Sequence, residues 1–101
     1  MIKAVYEVRE DRYVSLEVSG HAEYGEYGKD LICASVSCIM FGLMNAIDAS
    51  EEDVQKQQEE NRIIIEDHSG CEVIQDYLQL AITQMKTIEA SYGDFIRVER
   101  K

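Results

Sequence analysis

Between residues 20 and 37 the chain reads GHAEYGEYGKDLICASVS, which places a histidine, His21, an acidic residue, Asp30, and a cysteine, Cys33, in one short stretch. An imidazole and a thiol within hydrogen-bonding reach form a pair able to cut an amide. The neutral imidazole takes the thiol proton, the thiolate attacks a carbonyl, and the imidazolium then protonates the leaving amine. Ser37 follows Cys33 by one helical turn on the same side, placed to hydrogen-bond that pair or a substrate. Gly20, Gly25 and Gly28 let the intervening loop bend, or close over a bound peptide as a lid.

The elements around this stretch must position it. From Asp30 to about Ser50 the pattern predicts a helix, with Asp30 as its N-cap. Ile32, Val36, Ile39, Met40, Leu43 and Ile47 fall on one broad apolar arc. Cys33 then takes the third helical position, roughly 60° from the centre of that arc. The unpaired N–H groups of a first turn favour thiolate over thiol and are placed to stabilise an oxyanion. The opposite side of the helix, with Ala34, Cys38 and Phe41, is not very polar. A helix apolar on most sides is expected between layers or at a subunit contact.

Elsewhere, Ile2, Ala4, Tyr6 and Val8 alternate with polar residues, as do Val14, Leu16 and Val18. With Glu10, Asp11 and Arg12 between them, the two runs read as a β-hairpin. Residues 51–60, EEDVQKQQEE, fit either a loop or a polar edge strand. NRIIIED reads as a short buried strand. Ser69 and Glu72 have the spacing of a capping box that opens a second helix. That helix carries the stripe Ile74, Leu78, Ala81, Ile82, Met85 and Ile88. Gly93 suits its end, and DFIRVER closes as a strand. The order ββα(β)βαβ predicts one α+β domain over residues 1–101, two helices packed on a largely antiparallel β-sheet.

Composition narrows the function. The 101 residues hold 20 acidic against 10 basic side chains, a net charge of −10. Such a field repels nucleic acid and anionic membranes, and draws in a basic protein partner; solubility alone is its plainer use. No stretch approaches the roughly 20 apolar residues of a membrane span, and the first ten residues lack the apolar core of a signal peptide. Three widely spaced cysteines do not make a disulfide framework, so a cytoplasmic setting with reduced thiols is expected. A metal site drawn from His21, Cys33, Cys38, His68 and Cys71 is disfavoured. Cys33 and Cys38 stand about 140° apart on one helix and cannot share an ion.

Each candidate also has a plainer reading. Cys33 is small enough to be a core residue, Asp30 is explained by capping, and Ser37 by bonding its own helix carbonyls. His21 would then only cap the loop. On those terms the domain is a non-catalytic acidic module that binds a basic ribosomal or ribosome-assembly protein.

The eighteen residues resemble the signature G-H-A-x-x-G-x-x-G-x-D-x-x-C-A-x-V-S of the bacterial ribosomal-processing cysteine proteases, the Prp family. The match falls on Gly20, His21, Ala22, Gly25, Gly28, Asp30, Cys33, Ala34, Val36 and Ser37. It extends more loosely through GLMNAI and through the size and element order of the chain. The resemblance implies a cysteine endopeptidase (a hydrolase, in this case a thiol protease) with Cys33 as nucleophile and His21 as general base. Gly20, Asp30 and Ser37 would support the site, with Asp30 orienting His21, capping the helix, or both. It implies a homodimer, no metal or organic cofactor, and a role in ribosome biogenesis. The substrate would be protein twenty-seven of the large ribosomal subunit, a basic protein whose N-terminal extension is removed after a short motif with paired phenylalanines. Tyr24, Gly25, Tyr27 and Gly28 would form the substrate-binding loop, the two tyrosines either lining an aromatic-accepting cleft or facing solvent.

Overall fold

The alternating segments at the start of the chain pair antiparallel as β1 (Ile2–Arg9) and β2 (Arg12–Ser19). The computed structural model describes residues 1–20 and 27–101, the side chains of residues 27–30 apart. At the hairpin turn Glu10 and Asp11 have φ values of 50° and 63°. Two successive left-handed residues make a type I′ turn, whose twist matches that of the strands.

One slip in register changes which side chains meet the core. Glu7 pairs with Ser15 but Val8 pairs with Tyr13, leaving a bulge at Val14. The expected alignment of Val14 with Leu16 and Val18 is therefore corrected. Val14 lines a groove with Val5 and Ile64 on the other face of the sheet. Tyr13 packs against the core instead, its ring 5.9 Å from that of Tyr6.

The polar middle segment is a strand, β3 (Val54–Glu59), paired antiparallel with β4 (Arg62–Asp67). Only Val54 of β3 is buried, which suits an edge position. The last strand, β5 (Ile96–Arg100), runs parallel to β1. The sheet order is β3-β4-β2-β1-β5, with β1–β5 its one parallel pair. The helices α1 (Tyr27–Ser50) and α2 (Glu72–Tyr92) complete an α+β fold of order ββαββαβ.

Both apolar stripes are in the core. Ile32, Val36, Met40, Leu43 and Ile47 of α1 and Ile74, Leu78, Ala81, Ile82 and Met85 of α2 are buried. They meet Ile2, Ala4, Leu16, Val18, Ile65 and Ile96 of the sheet in one cluster, with Ile39 and Ile88 packed at its margin. The expectation that nothing is long and apolar enough to cross a membrane needs correction. Leu31–Ser50 of α1 meets that criterion by length and composition. Its inner side is spent on the core, and the surplus lies outside, where Leu31 and Phe41 are exposed.

The start of α2 differs from the expected capping box. Cys71 is the N-cap and no side chain caps it. The Ser69 hydroxyl accepts from the Cys71 N–H (3.0 Å) and donates to Asp67 Oδ1 (2.6 Å). Glu72 instead accepts from Arg12 at 2.5 Å, tying α2 to β2. The two residues do hold the helix start, each by another route.

Candidate active site

A cleft of about 190 Å³ opens between α1 and the end of the β3–β4 hairpin. Cys33, Ser37 and Phe41 line it from α1, spaced four residues apart and so on one side of the helix. Gln58, Glu60, Asn61 and Ile63 line it from the hairpin. Ile2, Val18 and Gly20 line it where β1 begins and β2 ends.

Cys33 is half-buried and packed at the edge of the core cluster. The residue thus packs on the core and borders the cleft at once. Its place along the helix needs correction. α1 begins at Tyr27, four residues before the Leu31 expected to follow the cap, so Asp30 is the fourth helical residue and not the N-cap. An acidic residue favours a helix N-terminus anywhere in the first turn, so the helix did not need Asp30 as its boundary. Cys33 becomes the seventh residue, in the second turn, where its N–H belongs to the i→i−4 ladder. The open N–H groups of the helix lie one turn before it.

Ser37 borders the cleft and is exposed. The back-bonding expected of a helical serine occurs at Ser35, whose hydroxyl donates to the Leu31 carbonyl at 2.8 Å. Among the described residues the Ser37 hydroxyl has no such bond, so it is available to the cleft.

Gly20 fixes the root of the loop. Its φ is 92°, and its N–H donates to the Asn61 carbonyl at 3.1 Å. A Cβ here would stand 2.3 Å from the Met1 carbonyl oxygen, so no other residue fits without moving β1. His21, Tyr24 and Gly25 lie outside the described residues. Gly20, the residue bonded to His21, lines the same cleft as Cys33. Tyr27 and Gly28, expected in the substrate-binding loop, have helical backbone in the first turn of α1. Their placement in a loop is corrected for the same reason as the cap: the helix starts earlier.

The other two thiols are elsewhere. Cys38 is exposed on a different groove, between α1 and α2, with Ile39, Leu43, Tyr77 and Leu80. Cys71 is at the start of α2. Among the described residues no three His, Cys, Asp or Glu side chains gather as metal ligands would.

The far wall of the cleft was not foreseen. Alternation along VQKQQE gave the available signal, since it puts Val54, Lys56 and Gln58 on one side of β3. Lys56 reaches Asp48 of α1 at 2.5 Å, which shows that this is the helix side. At the hairpin end the Arg62 guanidinium is held by Glu17 at 2.8 Å, while Glu60 makes no ion pair among the described residues. The rim is left acidic.

A model of the family described as cysteine protease Prp matches residues 1–97. The ribosomal processing cysteine protease Prp of Staphylococcus aureus is 30% identical over 96 residues, 91% of each chain. The crystal structure of an essential ribosomal processing protease Prp from S. aureus in complex with a substrate peptide superimposes with a TM-score of 0.91. It is 28% identical, with all of both chains covered. The same enzyme in complex with a covalently linked product peptide gives a TM-score of 0.89 at 29% identity, again over all of both chains.

Proposed function

The chain belongs to the cysteine protease Prp family and is a cysteine endopeptidase, and we propose that it removes the N-terminal extension of protein twenty-seven of the large ribosomal subunit. Cys33 is the nucleophile in this reading and His21 the general base. The observation that carries it is that Cys33, Ser37 and Gly20, the residue before His21, border a single cleft.

The chemistry follows from those roles. His21 takes the Cys33 proton, and the sulfur bonds to the carbonyl carbon of the scissile amide. The tetrahedral oxyanion collapses as the C–N bond breaks and the imidazolium gives its proton to the leaving amine. A thioester remains; water, deprotonated by His21, attacks it and frees the thiolate and a carboxylate. The covalently linked product peptide in the S. aureus relative is consistent with such a route. Asp30, in the first turn and not at its cap, orients His21. Ser37 donates to the substrate.

Specificity comes from shape and charge. Ile2, Val36, Met40, Phe41 and Ile63 give the cleft apolar walls. Its volume of about 190 Å³ is of the order of a cavity of about 150 Å³ that takes up benzene, so one aromatic side chain beside the cut fits it. The net charge of −10 and the acidic hairpin end draw in a basic ribosomal protein. We place the enzyme in the cytoplasm, as a homodimer, acting without a metal or organic cofactor.

Site-resolved alkylation tests the pair. Exposure alone ranks Cys38 ahead of Cys33 and Cys71. With limiting iodoacetamide, the activated-nucleophile reading expects Cys33 to be labelled first, and His21→Ala to slow it. Labelling in the order of exposure, unaffected by His21→Ala, would favour the acidic binding module.

A further inference from the structure

Gln58 is a polar side chain on the wall of the cleft facing α1, and the chemistry above leaves it without a task. Its direction follows from strand register. Gln58 pairs with Ile63, Ile63 pairs with Val18, and Val18 is in the core. The three therefore share the helix-bearing side of the sheet. Val54, buried, and Lys56, bound to Asp48 of α1, mark the same side of β3. Gln57, its neighbour, points the other way and donates to Glu59 at 2.8 Å.

Gln58 and Ser37 thus border the cleft from opposite walls, with Cys33 one turn before Ser37. Among the described residues neither the Gln58 carboxamide nor the Ser37 hydroxyl is engaged in a hydrogen bond. A carboxamide offers a donor and an acceptor side by side, the complement of one peptide unit. An extended peptide between these walls has main-chain N–H and C=O groups that lose water on entering and need replacements. β3 is also held to α1 by the Lys56–Asp48 ion pair, which keeps the two walls in register.

We propose that Gln58 is a substrate-binding residue, its carboxamide pairing with a main-chain amide of the peptide beside the scissile bond and so holding that bond against Cys33. This rests on the cleft being the peptide site of the endopeptidase. The contact is made in the ground state as well as in the transition state, so its loss acts on binding more than on turnover. One neutral hydrogen bond of this kind corresponds to about a five- to tenfold change.

The test uses a synthetic peptide spanning the extension and the first residues after the cut. In a Cys33→Ala background, Gln58→Ala is expected to weaken peptide binding about five- to tenfold by calorimetry. Gln57→Ala, on the same strand but facing away, should leave the affinity unchanged. With the Cys33 thiol present, Gln58→Ala should raise KM by a similar factor and leave kcat within about twofold. Unchanged affinity in Gln58→Ala would overturn the proposal, as would an equal loss in Gln57→Ala or a fall in kcat at constant KM. The binding arm reads Gln58 whether or not the peptide is cut. Binding without cleavage by the wild type would count against the endopeptidase reading, and against Gln58 only if Gln58→Ala bound equally well.

Discussion

Cys33 and Cys38 stand five residues apart on α1 and border different grooves, and only the first shares its groove with Ser37 and Gly20. The residue types in GHAEYGEYGKDLICASVS pointed to a cysteine protease, the family the chain belongs to, and helical spacing pointed to Cys33 and Ser37 sharing a side, as both border one cleft. Spacing could not give the turn in which Cys33 sits, because Asp30 has the side chain of a cap without the position of one. Gly20 is the most constrained of the group. In Gly20→Ala the new methyl meets the Met1 carbonyl, and the left-handed backbone adds strain of about 1–3 kcal/mol. The expected result is a lower Tm together with a loss of activity greater than the loss of folded protein, because the loop root shifts; activity measured per folded molecule checks this. Ser37→Ala should behave differently. The exposed hydroxyl contributes little to stability, so Tm should hold while kcat/KM falls about five- to tenfold, the loss of one hydrogen bond to the substrate.

At the scale of elements, the cleft is the gap between a helix and a hairpin that approach only in the folded chain. Period-two and helical patterns identified β1, β2, β4, β5 and both helices, since each buries one face against the same core. They did not identify the bulge at Val14, which depends on how β1 and β2 pair. Nor did they identify β3 as a wall of the site, because edge strands carry little apolar signal. The hairpin and α2 are joined by a polar knot. Gln75, nearly buried, accepts from the Tyr13 N–H and donates to its carbonyl, each at 2.7 Å, and donates to Asp67 at 2.9 Å. Burial alone would raise the Asp67 pKa, but hydrogen bonds from the Ser69 side chain and N–H, with those from Gln75 and the charge of Arg12, hold it below 3.8. A carboxylate with a depressed folded-state pKa stabilises fully above its unfolded value, and the contribution disappears as pH falls through the folded one. Thermal denaturation of Asp67→Asn should therefore show a lower Tm than the wild type at pH 6, with the gap narrowing below about pH 4. A constant gap down to pH 2 would mean that the ionised form is not what stabilises.

Taken whole, the molecule separates its charges. The helix-free face of the sheet is laced with opposite pairs, Lys3–Glu99 at 3.5 Å and Arg62–Glu17 at 2.8 Å among them. The surplus acid lies toward turns and helix ends, as in Glu51, Glu52 and Asp53 and at Glu60 beside the cleft. Between α1 and α2, by contrast, Cys38, Ile39, Leu43 and Leu80 line a mainly apolar groove of about 340 Å³. That surface suits the second copy in the proposed homodimer. Sedimentation should give twice 11.6 kDa for the wild type and a shift toward the monomer for Leu80→Glu; a monomeric wild type at micromolar concentration would refute it. In the proposed function, the net charge and the cleft serve one task, holding and cutting a basic protein with an aromatic segment. Incubating the protein with extended protein twenty-seven, beside its Cys33→Ala variant, and weighing the products intact tests that function most directly. One cut just after the paired phenylalanines, absent with Cys33→Ala, is the expected result. An extended protein that survives the wild type intact, or is cut equally by the variant, would contradict it.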